Sequence, residues 1–346
     1  MEKCSRRVAR NLIRWFDKNA RDLPWRRTDD PYAIWISEIM LQQTQVKTVI
    51  PYFERWLSAL PNVAALAQAR PEKVLKLWEG LGYYRRARHA QAAAKAIVDR
   101  HAGQFPARFE QIRALPGIGR YTAGAISSIA FHQPTPILDG NVMRVLSRIF
   151  GVAGDPREKT ANARLWQLAQ DLVSIDVKHC SKLNQSLMEL GALLCAPRGP
   201  QCALCPVRPS CFAFRTGRVE EFPQRIARPK ATERRFVALV ARKGNRYLVR
   251  QRPGGAVNAH LWEFPNIEIP LNETNLAKAV APFQIADAPP FCRIHHSITR
   301  YRILLEAFHA KAAPETFGIW KTLAELNRLP FTSAHRKILD ALSNKE

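Results

Sequence analysis

Cys195, Cys202, Cys205 and Cys211 fall within seventeen residues at the spacing C-x6-C-x2-C-x5-C. Four thiolates so close in sequence can reach one point, and a chain that gathers them must wrap its backbone around that point. The pattern favours an iron–sulfur cluster. Zinc is the rival, but zinc modules bring their ligands as two short knuckles separated by a longer stretch, and here only Cys202 and Cys205 form a knuckle. Disulfides are disfavoured, because the opening Met1-Glu-Lys-Cys-Ser-Arg-Arg has no apolar segment behind it of the kind that marks secretion. Cys4, Cys180 and Cys292 are scattered and read as packing residues.

The chain has 346 residues, 47% of them hydrophobic, enough for two domains with real cores. Lys and Arg number 53 against 29 Asp and Glu, a formal charge of +24. Such an excess favours a polyanionic partner, nucleic acid before an acidic membrane surface, with a generally basic surface as the bland alternative. No uninterrupted apolar run is long enough to span a bilayer. Composition changes near residue 220. Before it the chain reads as helices: Val8, Leu12, Trp15 and Phe16 recur at helical spacing, and Pro31, Pro51, Pro61, Pro71, Pro106 and Pro134 punctuate the segments. Residues 220–233 are polar, carry two prolines and read as a linker. Beyond them, 236–241 and 247–249 are strand-like runs around a Gly244-Asn245 turn, 303–308 is another, and 333–342 is a closing helix. The expected fold is a mainly α first region followed by an α+β second region.

The string Leu115-Pro-Gly-Ile-Gly-Arg-Tyr-Thr-Ala-Gly-Ala-Ile126 ends one helix at a proline, turns on Gly117 and Gly119, and starts a second helix. Backbone N–H groups exposed at such a turn suit one DNA phosphate without reading a base. A glycine pair alone makes many plain interhelical turns; the full string is the more specific pattern of a helix–hairpin–helix. Two carboxylates stand out. Glu38 sits in the apolar run Ile34-Trp-Ile-Ser-Glu-Ile-Met-Leu41, where desolvation raises a carboxyl pKa, so it can hold a proton near neutrality and act as a general acid. Asp139 precedes the Asn141-Val-Met-Arg-Val-Leu-Ser-Arg148 helix at an N-cap, where the helix dipole favours the ionised form. Protonating a base makes it a leaving group, and an anion then stabilises the oxocarbenium ion left on the sugar, as in glycoside hydrolysis. A plain helix cap is the alternative for Asp139. An unpaired carboxylate in an apolar helix is harder to dismiss.

Together with Leu138-Asp-Gly-Asn-Val-Met-Arg-Val-Leu146, the hairpin and the cysteine string resemble the helix–hairpin–helix DNA glycosylases, and within them the MutY adenine DNA glycosylases. The resemblance runs over essentially the whole chain. It is supported by Leu23-Pro-Trp-Arg26, by residues 30–46 (DPYAIWISEIMLQQTQV) and by residues 78–88 (WEGLGYYRRAR). In the second region Gly254-Gly255 and Leu261-Trp-Glu-Phe-Pro265 are similar to the family's Nudix-like domain. The resemblance implies a helical glycosylase domain over residues 1–220, with 28–136 as a six-helix barrel carrying the hairpin and 1–27 plus 137–220 as the iron–sulfur module. It further implies a linker at 221–233 and a Nudix-like lesion-recognition domain at 234–346. The implied activity is base excision repair: removal of adenine mispaired with 8-oxoguanine or guanine from double-stranded DNA. One 4Fe-4S cluster on the four cysteines, with a structural role, is implied as cofactor. A monomer is expected, cytoplasmic and nucleoid-associated, with no membrane partner.

The resemblance puts Glu38 at the general acid and Asp139 at the carbocation stabiliser. Endonuclease III-type relatives carry a lysine where Tyr121 stands, and its amine attacks the sugar to give a Schiff base. A phenol cannot, so this chain is expected to be monofunctional. A lyase of that type is the enzymatic alternative, and a silent iron–sulfur DNA-binding protein the non-enzymatic one. The resemblance places the Tyr121 hydroxyl beside Asp139, with Asn141 helping to hold the site. Adenine must leave the stack to be reached, and Gln43 and Tyr83 match the wedges that fill the gap. Trp25, Arg26, Leu41 and Val46 match positions around the adenine pocket. Gly117, Gly119 and Arg198, which lies between Cys195 and Cys202, are the expected phosphate contacts. No Nudix box of clustered glutamates follows Gly254, so nucleotide hydrolysis is not expected. Where the family presents a Phe-Ser-His loop, this chain has Ile294-His295-His296-Ser297. His296 stands at the histidine and His295 at the serine position, unless the register uses Ser297, and this departure leaves the preference for 8-oxoguanine open. The first 225 or so residues, which hold the hairpin, both carboxylates and the cysteines, are expected to fold and excise adenine alone.

Overall fold

The apolar stripe at the start of the chain forms the helix Glu2–Asn19, which buries Val8 and Leu12 completely and leaves Phe16 8% exposed. Each such side chain contributes about 1.5–3 kcal/mol on leaving water. The computed structural model describes residues 2–224, 231–285, 288–313 and 316–344. Its contacts separate two units: the described residues of 1–68 and 89–227, and those of 69–88 and 228–346. Residues 69–88 thus lie inside the span expected to fold alone, yet their contacts run to the second region.

The first unit is helical. Asp30 caps the helix Pro31–Leu41 by accepting from the Tyr32 and Ala33 N–H groups, with Pro31 at the first turn. This helix is apolar on every side and is buried from Tyr32 to Met40, as a central core helix must be. Pro51 does not end a segment: it sits inside the helix Val46–Ala59, where the missing N–H costs one ladder bond and the helix continues through it. The hairpin is present, with Phe109–Arg113 before the turn and Arg120–Ile129 after it, and Leu115 and Ile118 are buried between them. Helices Gly140–Phe150, Lys159–Ile175 and Cys180–Leu193 close a core with the first helix around Val142, Val145, Leu165, Leu172, Leu183 and Leu187. Gly191 lets two of them approach closely, for a Cβ there would lie 2.6 Å from the Cβ of Asn141.

The second unit is built on an eight-stranded mixed sheet: β1 (Thr232–Lys243), β2 (Arg246–Gln251), β3 (Trp262–Glu263), β4 (Asn266–Ile269), β5 (Gln284–Ile285), β6 (Cys292–Ile298), β7 (Tyr301–Lys311) and β8 (Ile319–Thr322). β1 and β7 run parallel at its centre, and the other pairs are antiparallel. The run Phe236-Val-Ala-Leu-Val-Ala241 is apolar on both sides because both faces of β1 are covered. Ala238 and Val240 pack with the helix Ser333–Ser343 through Ile338 and Leu339, while Val237, Leu239 and Ala241 pack with Val280 and Phe283. This is the α+β architecture expected of the second region. Of the stretch read as a linker, 225–230 lie outside the described residues, Phe222 is buried with its ring edge-on to Phe212, and β1 starts at Thr232. Among the described residues no helix is long and apolar enough to cross a membrane.

Candidate active site and cysteine cluster

A cavity of about 510 Å³ opens in the first unit, a size that suits a flipped-out nucleoside. Residues 21–26, the helix Pro31–Leu41 with the turn after it, the hairpin's second helix and the helices Gly140–Phe150 and Cys180–Leu193 all reach it. Trp25, Arg26, Glu38, Leu41, Gln43, Val46, Tyr121, Asp139 and Asn141, singled out from sequence, all line this one cavity.

Glu38 is 4% exposed and accepts a hydrogen bond of 2.6 Å from the Tyr121 hydroxyl. Burial pushes its carboxyl up to about 7; the Tyr121 bond and Arg26 pull it down, and Asp139 pushes it further up. The Tyr121 hydroxyl is therefore committed to Glu38 rather than to Asp139. Asp139 still acts on it electrostatically, and burial with both carboxylates holds the phenol well above its usual range. Asp139 caps its helix as expected, accepting from Val142 N–H at 2.7 Å, and Asn141 Nδ2 donates to its other oxygen at 3.0 Å. Its acidity differs from the N-cap reading. Burial outweighs the cap and pushes this carboxyl up, against the Val142 and Asn141 hydrogen bonds and the charge of Arg144.

The cavity contains groups that sequence reasoning missed. Glu189 is 1% exposed and takes bidentate bonds from both Arg21 (2.8 and 2.7 Å) and Arg26 (3.1 and 2.9 Å). Burial alone would raise its carboxyl, but the two guanidinium groups win and hold it at about 2. The signal was available: Leu187-Met-Glu-Leu190 puts a glutamate in an apolar helix, as at Glu38. Gln185 and Met188 line the same wall. Arg144 is buried and joins Asn141 Oδ1 (2.9 Å) to the carbonyl of Cys195 (2.6 Å), bringing the cavity wall and the cysteine segment onto one guanidinium.

The remaining candidates, apart from Gln43, lie outside this cavity. Gly117 has φ +76°, and a Cβ there would meet the His89 Cβ at 2.5 Å, so the turn needs glycine twice over. Gly119 is the open N-cap of the following helix. Gln43 and Tyr83 are both exposed non-glycine residues with left-handed backbone, φ +60° and +48°, a strain that neighbouring contacts must hold. Gln43 borders the cavity; Tyr83 belongs to the second unit. Arg198 is exposed. His295, His296 and Ser297 are not in a loop: they lie in β6, opposite Leu304, Ile303 and Arg302 of β7. The pleat turns His295 and Ser297 outward together, while His296 is half-buried with Ile294 and Ile298. His296 Nδ1 has no hydrogen-bond partner among the described residues, and burial, with Lys337 nearby, pushes its imidazole down.

The four cysteines border a second pocket in the first unit, with Val145, Ile149, Leu190 and Val207 as apolar wall. Arg148 Nη1 donates to Cys195 Sγ at 3.4 Å, and the Cys211 thiol donates to the Arg148 carbonyl at 3.3 Å. Burial pushes the thiols of Cys202, Cys205 and Cys211 up, that of Cys205 to about 12, so the charge of bound metal is what would keep them as thiolates. Among the described residues no group of three or more His, Cys, Asp or Glu forms a site for a metal ion. The four sulfurs line one pocket without closing on a single ion, and one of them takes a guanidinium N–H, a donor set that would suit a larger iron–sulfur group.

Residues 36–171 match the family model of the HhH-GPD superfamily of base excision DNA repair proteins, and residues 236–341 match that of the NUDIX domain. The chain is 38% identical to the adenine DNA glycosylase of Mus musculus over 322 residues, covering 78% of this chain and 62% of the mouse protein's length. A thermostable thymine-DNA glycosylase of known structure covers 62% of this chain and 98% of its own, with 28% identity and a TM-score of 0.57. The adenine DNA glycosylase of Buchnera aphidicola subsp. Schizaphis graminum matches end to end, 33% identical across 95% of this chain and 96% of that one. On that match this protein belongs to the adenine DNA glycosylase family.

Proposed function

We propose that this chain is a monofunctional adenine DNA glycosylase of base excision repair, hydrolysing the N-glycosidic bond of adenine mispaired with 8-oxoguanine or guanine in duplex DNA. The observation that carries this reading is the pairing, in one cavity, of a carboxyl held at about 7 and a second carboxyl braced by an N-cap and Asn141. The flipped adenine enters the cavity; Glu38 gives its proton to the base, and the C1′–N9 bond breaks with its electron pair going to the base. Asp139 faces the oxocarbenium ion, supported as an anion by Val142 N–H and Asn141. Water then adds to C1′, and its proton goes to the ionised Glu38. Tyr121 aims its hydroxyl at Glu38 and offers no amine for a Schiff base.

Cys195, Cys202, Cys205 and Cys211 would hold one 4Fe-4S cluster and would so fix the loop that carries Arg198; no cysteine takes part in the reaction. Gly117, Gly119 and Arg198 contact phosphates, Gln43 and Tyr83 fill the space left by adenine, and His295, His296 or Ser297 reads the base opposite. A labelled A:8-oxoguanine duplex, incubated with protein and treated with or without alkali, tests the reading. Base loss that needs alkali for strand scission is expected, with A:G as a second substrate. Scission without alkali, or binding without base loss, overturns it.

A further inference from the structure

The loop that carries Tyr83 is strained and externally held. Gly80, Gly82 and Tyr83 all have positive φ, +103°, +70° and +48°, and the Tyr83 side chain is left 48% exposed at the tip. A tyrosine in the left-handed region is strained backbone, so the surrounding contacts must fix the loop. Inside the loop, Trp78 Nε1 donates to the Gly82 carbonyl at 3.0 Å, and Arg86 Nη2 donates to the Leu81 and Gly82 carbonyls at 3.1 Å each. The outer hold comes from Glu79. Its Oε1 accepts from the Phe331 N–H and from Arg336 Nε, both at 2.8 Å, and its Oε2 accepts from Lys76 Nζ at 2.6 Å. Its side chain is 11% exposed and that of Arg336 18%. Lys76 and Arg336 also share the Leu329 carbonyl, and Tyr84 reaches the Phe331 carbonyl. The Leu329–Arg336 stretch is itself tied to β3, since Trp262 N–H donates to Pro330 and Thr332 N–H to Trp262.

We propose that Glu79 is a positioning residue for base extrusion: its carboxylate fixes the Tyr83 loop on the Phe331–Arg336 segment, so that the Nudix-like region holds the wedge. This rests on the reading of Tyr83 as a wedge. Glu79 is four residues from Tyr83 in sequence and acts on it through the loop backbone, so its effect must pass through the Tyr83 ring. A side chain that merely glued two segments together would act independently of that ring.

The test is a double-mutant cycle in the full-length protein, reading single-turnover excision from A:8-oxoguanine duplex alongside duplex affinity and thermal melting. Glu79→Gln is expected to slow excision by on the order of tenfold, as a small misplacement does, with a smaller change in affinity. Tyr83→Ala slows it as well, and Glu79→Gln,Tyr83→Ala is no slower than Tyr83→Ala alone. Arg336→Gln, which removes the carboxylate's partner from the other side, gives the same non-additive pattern and carries the cycle if Glu79→Gln does not fold. Effects that multiply in the double variants overturn the proposal, as does wild-type excision by Glu79→Gln while Tyr83→Ala is slow. Wild-type excision by Tyr83→Ala instead overturns the wedge reading beneath it.

Discussion

The Tyr121–Glu38 hydrogen bond makes a prediction whose sign follows from the geometry. Tyr121 donates at 2.6 Å to a buried carboxyl held at about 7, and that bond is among the influences pulling its pKa down. A hydrogen bond to a charged group contributes about 1.5–3 kcal/mol, and about 1.4 kcal/mol corresponds to one pKa unit. Tyr121→Phe removes the donor without opening a large cavity, so the Glu38 pKa is expected to rise by about one to two units. If Glu38 must be protonated to act, single-turnover excision by the wild-type protein falls as pH rises through about 7. In the variant that fall moves to higher pH, even if the plateau rate drops. Single-turnover rates across the neutral range, with a ¹³C titration of the glutamate carboxyl, give both midpoints. A midpoint that stays or moves to lower pH would refute the assignment of Glu38 as the titrating acid. Stability carries the same signature. Between the ordinary carboxyl value of 4.5 and about 7 the folded protein keeps a proton that the unfolded chain releases. Stability therefore falls as pH rises through that window, by about 3 kcal/mol from Glu38, and Glu38→Gln removes this part of the dependence, leaving the contribution of Asp139, whose carboxyl burial also pushes up.

Two further outcomes are expected. Gly117→Ala forces a side chain into left-handed backbone and against His89 at 2.5 Å, so it should weaken duplex binding and lower the melting temperature, while the pH midpoint of excision stays put; unchanged binding argues against the hairpin as a phosphate site. The purified protein should be yellow-brown with about four irons and four sulfides per chain, and Cys202→Ala should lose that iron and lower duplex affinity more than single-turnover chemistry at saturating protein; a colourless wild-type protein with stoichiometric zinc after anaerobic preparation overturns the cluster.

Much of the site was legible because its signals are local. A four-cysteine string within seventeen residues, a glutamate inside an apolar helix and an L-P-G-I-G turn are each contained in one short stretch of chain. The unbroken apolar run of 236–241 marks a strand covered on both faces, and the cap at Asp139 announces its helix. Pro51 was misleading because a proline's effect depends on its depth in the helix, which a sequence does not display.

The sequence by itself determined which groups this protein owns and the local frame of each: a carboxyl inside an apolar helix at Glu38, a capping carboxylate at Asp139, four thiols within seventeen residues and a glycine turn between two helices. Tertiary structure alone decided what those groups are to one another. Tyr121 meets Glu38 across 83 residues, Arg26 meets Glu189 across 163, and Arg336 meets Glu79 across 257. Nothing in the pattern of a helix reports which distant helix it will face. The sign of the Asp139 shift follows the same rule, since a helix N-terminus is written in the sequence while the depth of its burial is not. Desolvation is a property of the packed assembly, and in this cavity it outweighs the cap.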